Sequence, residues 1–190
     1  MAGHTGDVAT ARSGLDDADP AVRGTALAAL ARAAALTPAH IVAALADPDP
    51  TVRRRACEVA ATGPVEVAAQ VLERLGDQDA GVVEVAAWAL GELGERGPLP
   101  RTTVADLSRI ATDHTDPLAR EAAVAALGAI GDVAGLSAIL RGTTDKPTIR
   151  RRAVLALAPF EGPDVDAALE RASHDHDWQV REAAALLLGR

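Results

Sequence analysis

The segment Asp49-Pro50-Thr51-Val52-Arg53-Arg54-Arg55-Ala56 contains the clearest signal in the sequence, because variants of it recur along the chain. Six segments follow the pattern Asp-Pro-x-Val-Arg-x-x-Ala, and their first residues are 30, 30, 37, 30 and 31 positions apart. Recurrence at such a period indicates a repeat protein, in which each unit buries its apolar face against its neighbours. The first residues of the six segments are Asp19, Asp49, Asp79, Asp116, Lys146 and Asp177.

Each of these segments predicts the start of a helix. An Asp side chain caps free N–H groups at a helix start, and Pro fits the first helical position because its missing N–H is not needed there. The Val and the Ala of the pattern are four residues apart, so they share one helix face. Long helices are therefore expected to begin near residues 20, 50, 80, 117, 147 and 178.

A second, shorter amphipathic segment precedes each long helix, as in Val65 to Leu75. The first short helix is expected to begin near Asp7, and the last long helix to run to Arg190. Six helix pairs would then account for residues 1–190 as one repeat domain. A longer inter-repeat loop, residues 94–103, is expected after the third pair.

The composition favours an all-α fold. The 190 residues include 44 Ala but only two Trp, one Phe and no Tyr, so the core must depend on close contacts between small side chains. Such contacts suit helices packed side by side, and Ala is the strongest helix former.

The charge, the cysteine content and the hydropathy disfavour several classes of protein. The formal charge is −8, whereas a nucleic-acid binder normally presents a basic surface. A single cysteine cannot form an internal disulfide, and no apolar stretch approaches the ~20 residues of a membrane span. The first residues show no signal-peptide pattern, so a cytoplasmic protein is expected. Among the basic residues only Lys146 is a lysine, and this bias is typical of a high-GC bacterial genome.

The repeated unit resembles HEAT-like repeats of the short type named after phycobilisome lyases. In that family Asp-Pro-x-Val-Arg is followed by Ala-rich apolar positions and then Leu-Gly. The second part stands here as Ala-Ala-Trp-Ala-Leu-Gly at Ala86 to Gly91 and as Ala-Ala-Val-Ala-Ala-Leu-Gly at Ala122 to Gly128. The resemblance implies a right-handed α-solenoid of six helix pairs, with the Asp-initiated helices lining its concave side.

The resemblance also implies that the Asp and Arg positions of the pattern hydrogen-bond between neighbouring turns of the solenoid. Repeat 3 departs from the pattern, because Val83 stands where the Arg is expected. Repeat 5 departs as well, with Lys146 at the capping position and Asp145 one residue earlier. The structural set is Asp19, Arg23, Asp49, Arg53, Asp79, Asp116, Arg120, Arg150, Asp177 and Arg181.

One row on the predicted outward face of the long helices is unusual. The sixth residue after the pattern Val should be polar on a solvated helix, but it is Trp88 in repeat 3, Leu155 in repeat 5 and Leu186 in repeat 6. An apolar row beside charged residues is typical of a protein-binding groove, in which Trp is a favoured anchor. The alternative is that Trp88 folds sideways against its neighbours and is only partly exposed.

The leading hypothesis is a non-enzymatic scaffold or adaptor, without a cofactor or catalytic residues, that binds a protein or peptide on the concave face. Its predicted contacts are Trp88, Leu155 and Leu186 together with the charged residues Glu84, Glu92, Glu121, Arg54 and Arg151.

Three alternatives stay open at this point: a bilin or cofactor lyase, a chaperone-like protein and a DNA-lesion-binding protein of the HEAT-like type. The lyase would need a deep pocket, for which only Trp88 and the nearby glutamates offer a start. The Arg runs 53–55 and 150–152 could contact phosphate, but Glu residues share that surface and oppose DNA.

Three smaller features of the sequence bear on function. His174 and His176 could bind a metal only with a third ligand from Asp175, Asp177 or Asp145, and a solvated turn is the favoured interpretation. Cys57 occupies a position that is apolar in other repeats, so an inert, packed thiol is expected. The apolar end of the last repeat, residues 186–188, leaves open self-association through that repeat.

Overall fold

The computed structural model of the protein describes residues 3–189, and over that range it contains α-helices and short 3₁₀ segments but no β-strand. The all-α prediction is therefore confirmed for the described part of the chain. Its helices are α1 (Gly3–Ser13), α2 (Pro20–Arg32), α3 (Pro38–Leu45), α4 (Pro50–Ala60), α5 (Ala68–Glu73), α6 (Ala80–Gly94), α7 (Thr103–Asp113), α8 (Pro117–Ile130), α9 (Leu136–Gly142), α10 (Pro147–Ala156), α11 (Pro163–Ser173) and α12 (Trp178–Leu188).

The helices are arranged in pairs that stack in chain order. Each odd-numbered helix packs against the long, even-numbered helix that follows it, and each long helix packs against the next long helix. This arrangement is an α-solenoid, in which every unit contacts its neighbours. The longest connection between a long helix and the next short one covers residues 95–102, between α6 and α7.

Aspartates cap five of the six long helices. At the start of α4, a side-chain oxygen of Asp49 accepts a hydrogen bond from the N–H of Thr51 at 2.8 Å. Lys146 precedes α10 and provides no such bond, while Asp145 accepts the N–H of Lys146 at 2.7 Å. The other capping residues are Asp19, Asp79, Asp116 and Asp177.

The two ends of the helical array differ slightly from the prediction. The helix α1 begins at Gly3, before the predicted start at Asp7. The helix α12 ends at Leu188 and Gly189 follows it. Arg190, which the predicted helix reached, lies outside the described residues, as do residues 1 and 2 of the expected domain.

Small side chains allow the long helices to approach closely. The Ala of the repeated pattern is fully buried in repeats 2 to 6, and Cys57 beside it in α4 is buried as well. Where α8 crosses α10, a Cβ atom placed on Gly128 would lie 2.6 Å from the Cβ of Ala156. Such a contact is too short, so this crossing requires glycine at position 128.

Four of the five junctions between successive repeats are bridged by a bidentate ion pair between Arg and Asp. Arg53 of α4 donates from Nε and Nη2 to the two carboxylate oxygens of Asp77, both at 2.7 Å. Its Nη1 donates to the carbonyl oxygens of Asp47 and Pro48 at 3.0 Å, so one guanidinium binds two turns. The four pairs are Arg23–Asp47, Arg53–Asp77, Arg120–Asp145 and Arg150–Asp175.

The bridging carboxylates are a different set from the aspartates of the repeated pattern. Asp49 and its equivalents cap their own helices, whereas the bridge is made by the residue two positions earlier, such as Asp47, or by Asp145 in repeat 5. Arg181 donates to the carbonyl oxygens of Asp175 and His176 in its own turn, at 2.8 and 3.1 Å. Four of the five pattern arginines therefore join repeats, and the pattern aspartates start helices.

The junction between repeats 3 and 4 has neither member of the ion pair. Val83 is fully buried where the other repeats have Arg, and His114 stands where they have the bridging Asp. The Nδ1 atom of His114 accepts the N–H of Asp116 at 3.1 Å, which reproduces the local bond that Asp47 makes to Asp49. Both substitutions occur together, so no bridging carboxylate is left at this junction without its arginine.

No helix in the described range 3–189 has both the length and the apolar character needed to cross a membrane.

Candidate binding groove

A groove of about 510 Å³ lies between α6 and α8, at the junction that has no Arg–Asp pair. Its floor consists of small residues, among them Gly91 of α6 and Ala122, Ala125 and Ala126 of α8. A Cβ atom on Gly91 would lie 3.0 Å from the Cα of Ala126, so the two helices come close together there. The small floor leaves space above it, between the larger side chains of the two helices.

Two large apolar side chains border this space. Trp88 of α6 is 42% exposed and Leu118 of α8 is 55% exposed, although most large apolar residues of the protein are buried. More than half of the Trp88 surface is covered by neighbouring residues, and the side chain lines the groove. The indole therefore packs against the protein and is open to solvent as well.

Carboxylates surround the tryptophan. Glu84, Trp88 and Glu92 are four residues apart on α6 and therefore lie along one face of that helix, and Glu121 contributes from α8. Arg152 of α10 is the basic residue of the lining, and its Nε atom lies 3.6 Å from Oε1 of Glu121. Within residues 3–189, the side chains of Glu84 and Glu92 form neither an ion pair nor a hydrogen bond.

The structure brings four of the predicted contact residues together in this groove: Trp88, Glu84, Glu92 and Glu121. The other four lie elsewhere on the long helices. Arg54 of α4 is exposed and lies 3.7 Å from Glu58, Arg151 and the half-buried Leu155 are on α10, and Leu186 of α12 is 62% exposed.

Sequence reasoning missed two residues of the groove, Leu118 and Arg152. Leu118 is the only large aliphatic residue at the third pattern position, where the other repeats have Ala21, Thr51, Gly81, Thr148 or Gln179. That contrast was a usable signal of an exposed apolar site. Arg152 is the last residue of an Arg run, and its position against α8 depends on how α8 and α10 pack.

The histidine turn before α12 is occupied by other interactions. The Nδ1 atom of His174 lies 2.9 Å from Oγ of Ser173 and 3.0 Å from the carbonyl oxygen of Glu170. Of the three carboxylates that could complete a metal site, Asp145 and Asp175 are bound by arginines of neighbouring repeats, and Asp177 accepts the N–H of Gln179 as the cap of α12. Within the described residues, no three His, Cys, Asp or Glu side chains form a group that could hold a metal ion.

The single cysteine is enclosed in the core. Cys57 is fully buried in α4, and burial raises the pKa of its thiol to about 12. A thiol with this pKa is protonated at neutral pH and cannot act as a nucleophile.

Comparison with known proteins gives matches to two repeat families. A family model of HEAT repeats matches residues 37–101, and a model of the PBS lyase HEAT-like repeat matches residues 119–145. No curated protein sequence matches the chain.

Several solved structures share the fold. The Escherichia coli protein YibA has a TM-score of 0.71 at 15% identity, over 99% of this chain and 75% of that one. A computationally designed armadillo repeat protein for modular peptide recognition has a TM-score of 0.66 at 18% identity, over 96% of this chain and 98% of that one. The complex of CpcE and CpcF of phycocyanin lyase from Nostoc sp. PCC7120 has a TM-score of 0.62 at 19% identity, over 80% of this chain and 97% of that one. At these identities the likeness establishes the fold alone.

Proposed function

The chain is a HEAT-like repeat protein, and we propose that it acts as a non-enzymatic adaptor that binds a protein or peptide segment in the groove between α6 and α8. The observation that carries this proposal is the position of Trp88, which is 42% exposed above a floor of small residues. Tryptophan is among the residues that contribute most to protein–protein binding when they lie at the centre of an interface.

The surroundings of Trp88 support this function. An interface typically has an apolar centre and a polar rim, and here Trp88 and Leu118 are bordered by charged side chains. The groove is built on two long helices that pack closely, so little conformational entropy is lost when a partner binds. Two of the proteins that share the fold are a designed peptide-recognition protein and a complex of two chains, and both uses fit a groove of this kind.

The charge of the groove opposes two of the alternatives. A DNA backbone and a bilin both carry negative groups, whereas the groove has three carboxylates against one guanidinium. Like charges brought together without water between them repel one another strongly. The described part of the chain also offers no basic groove beside Trp88 that could neutralise phosphates.

The test is a selection of binders from a random-peptide display library on the purified protein. Peptides selected on the wild-type chain are expected to lose about 10- to 30-fold in affinity when Trp88→Ala is introduced, as for a central interface residue. Trp178→Ala is the matched control, because Trp178 is 61% exposed and lies outside the groove. Circular dichroism of both variants would verify that the fold is retained.

Selected peptides that bind the Trp88→Ala variant as tightly as the wild type would contradict the proposal. The same conclusion would follow if the selection gave no binder, or if Trp178→Ala caused the larger loss.

A further inference from the structure

The groove carries more negative charge than the protein itself neutralises. Oε1 of Glu121 lies 3.6 Å from Nε of Arg152, so this carboxylate has a counter-ion. Glu84 and Glu92 have none among residues 3–189. These two carboxylates flank Trp88 on the same face of α6, one turn before it and one turn after it. Any partner that covers Trp88 must therefore approach two carboxylates that have no counter-ion among the described residues.

A neutral or acidic partner would be disfavoured at this position. Covering an ionised carboxylate without supplying a hydrogen-bond donor costs free energy, because the group loses its water. A cationic side chain removes this cost and gains charge-assisted hydrogen bonds. The net charge of −8 on the whole chain also favours the approach of a basic segment.

The aromatic ring adds a preference among cations. The face of a Trp ring attracts a cation, and arginine satisfies such a site best because its planar guanidinium stacks on the ring while its N–H groups bind carboxylates. On α6 the ring and the carboxylates that would bind the same guanidinium are spaced one helical turn apart, or about 6 Å along the helix axis. A single arginine side chain spans that distance.

We propose that the occupant of the groove is a basic peptide segment, and that one of its arginines stacks on Trp88 and hydrogen-bonds with Glu84 or Glu92. An apolar residue beside this arginine covers Leu118, which borders the other side of the groove. This inference rests on the proposed adaptor function and specifies the chemistry of the partner.

The test uses peptides from the display selection on the wild-type chain. The Trp88-dependent peptides are expected to share an arginine, and replacing that arginine with the neutral isostere citrulline should weaken binding about 10-fold or more. The double variant Glu84→Gln/Glu92→Gln should bind the arginine peptide more weakly than the wild type does, by a similar factor. Its affinity for the citrulline peptide should be nearly the same as that of the wild type. Glu170→Gln is the matched control, because the Glu170 side chain is 70% exposed and lies outside the groove.

A fluorescence readout places the ligand on the tryptophan. The sequence has two Trp residues, so in a Trp178→Phe background all indole emission comes from Trp88. Binding of the arginine peptide should change this emission, and added salt should weaken the binding.

The outcomes separate this inference from the adaptor function. Trp88-dependent peptides that are neutral or acidic would overturn the arginine site and leave the adaptor function intact. If an arginine peptide bound the glutamine double variant as tightly as it binds the wild type, the arginine site would also be overturned and the adaptor function would stand. A selection without Trp88-dependent peptides would overturn both.

Discussion

At the scale of single residues, the arginine that follows the pattern Val holds two turns of the solenoid together. The guanidinium of Arg53 binds the carbonyl oxygens of Asp47 and Pro48 before its own helix and the carboxylate of Asp77 before the next one. The Asp77 side chain is only 4% exposed, so little water competes for these bonds. The hydrogen bonds from Arg53 hold the pKa of Asp77 below its ordinary value, although burial acts in the opposite direction.

Replacing Asp77 should therefore destabilise the fold more than replacing an exposed partner of an ion pair. Asp77→Asn removes the charge and the bidentate geometry, and it should lower the free energy of unfolding by about 2 kcal/mol. Asp106→Asn is the control, because its pair with Arg109 is exposed and should contribute less than about 1 kcal/mol. Urea denaturation of both variants measures the difference, and equal losses would contradict the prediction.

The arginine positions could be predicted from the sequence, but their carboxylate partners could not. The capping role of Asp49 is local, because the acceptor and the N–H groups belong to the same turn, and a repeated pattern is sufficient to find it. The partner of Arg53 is 24 residues away, and its identity depends on how the next turn lies against α4. The Asp-x-Asp spacing of residues 47 and 49 was a signal that recurs in repeats 1, 3 and 6.

At the scale of helices, a glycine is either required or dispensable according to what packs against it. Gly24 of α2 and Gly128 of α8 both lie inside long helices, but only Gly128 belongs to the Leu-Gly end of the repeated unit. A Cβ atom on Gly24 would have no neighbour within 4 Å, whereas one on Gly128 would lie 2.7 Å from the Cα of Ala156. Only the second glycine is required by packing.

Substitution by alanine should therefore change stability in opposite directions at these two sites. Gly24→Ala should raise the free energy of unfolding by about 0.5–1 kcal/mol, because alanine favours a helix more than glycine does. Gly128→Ala should lower it by about 1–3 kcal/mol, because α8 and α10 must move apart. Thermal or urea unfolding of the two variants provides the measurement, with each variant serving as the control for the other. A Gly128→Ala variant that is as stable as the wild type or more stable would show that the α8–α10 contact is not close, and a destabilised Gly24→Ala variant would contradict the expectation for α2.

At the scale of the whole molecule, the candidate groove coincides with the junction that differs from the others. The α6–α8 junction has Val83 and His114 in place of the Arg–Asp pair, and it depends on close packing at Gly91 instead. The sequence indicated Trp88 and its neighbouring glutamates because they form one stripe on one helix. Leu118 stands out in the sequence as the large aliphatic residue at the third pattern position, but its place opposite Trp88 and that of Arg152 depend on how three helices pack against one another.

This difference between junctions predicts how the molecule responds to acid. Bonds from arginines hold the pKa values of the bridging aspartates below their ordinary value of 3.8. Because the pKa is lower in the folded state, the stabilisation is fully present above about pH 4, and it is lost as the pH falls through the folded-state pKa values. The aspartates concerned are Asp47, Asp77, Asp145 and Asp175.

As the pH is lowered from 5 to about 2.5, the four bridged junctions should therefore weaken while the α6–α8 junction, which has no such pair, keeps its packing. Hydrogen exchange followed by mass spectrometry should show the outer helices α2, α4, α10 and α12 losing protection before α6 and α8.

The variant Asp77→Asn is the control for this prediction. Its α4–α6 junction already lacks the titrating pair, so the pH dependence of exchange in α4 should become weaker. Simultaneous loss of protection in all long helices would show that the Arg–Asp pairs do not determine the acid stability of the solenoid, and earlier loss in α6 and α8 would show that the central junction is its weakest point.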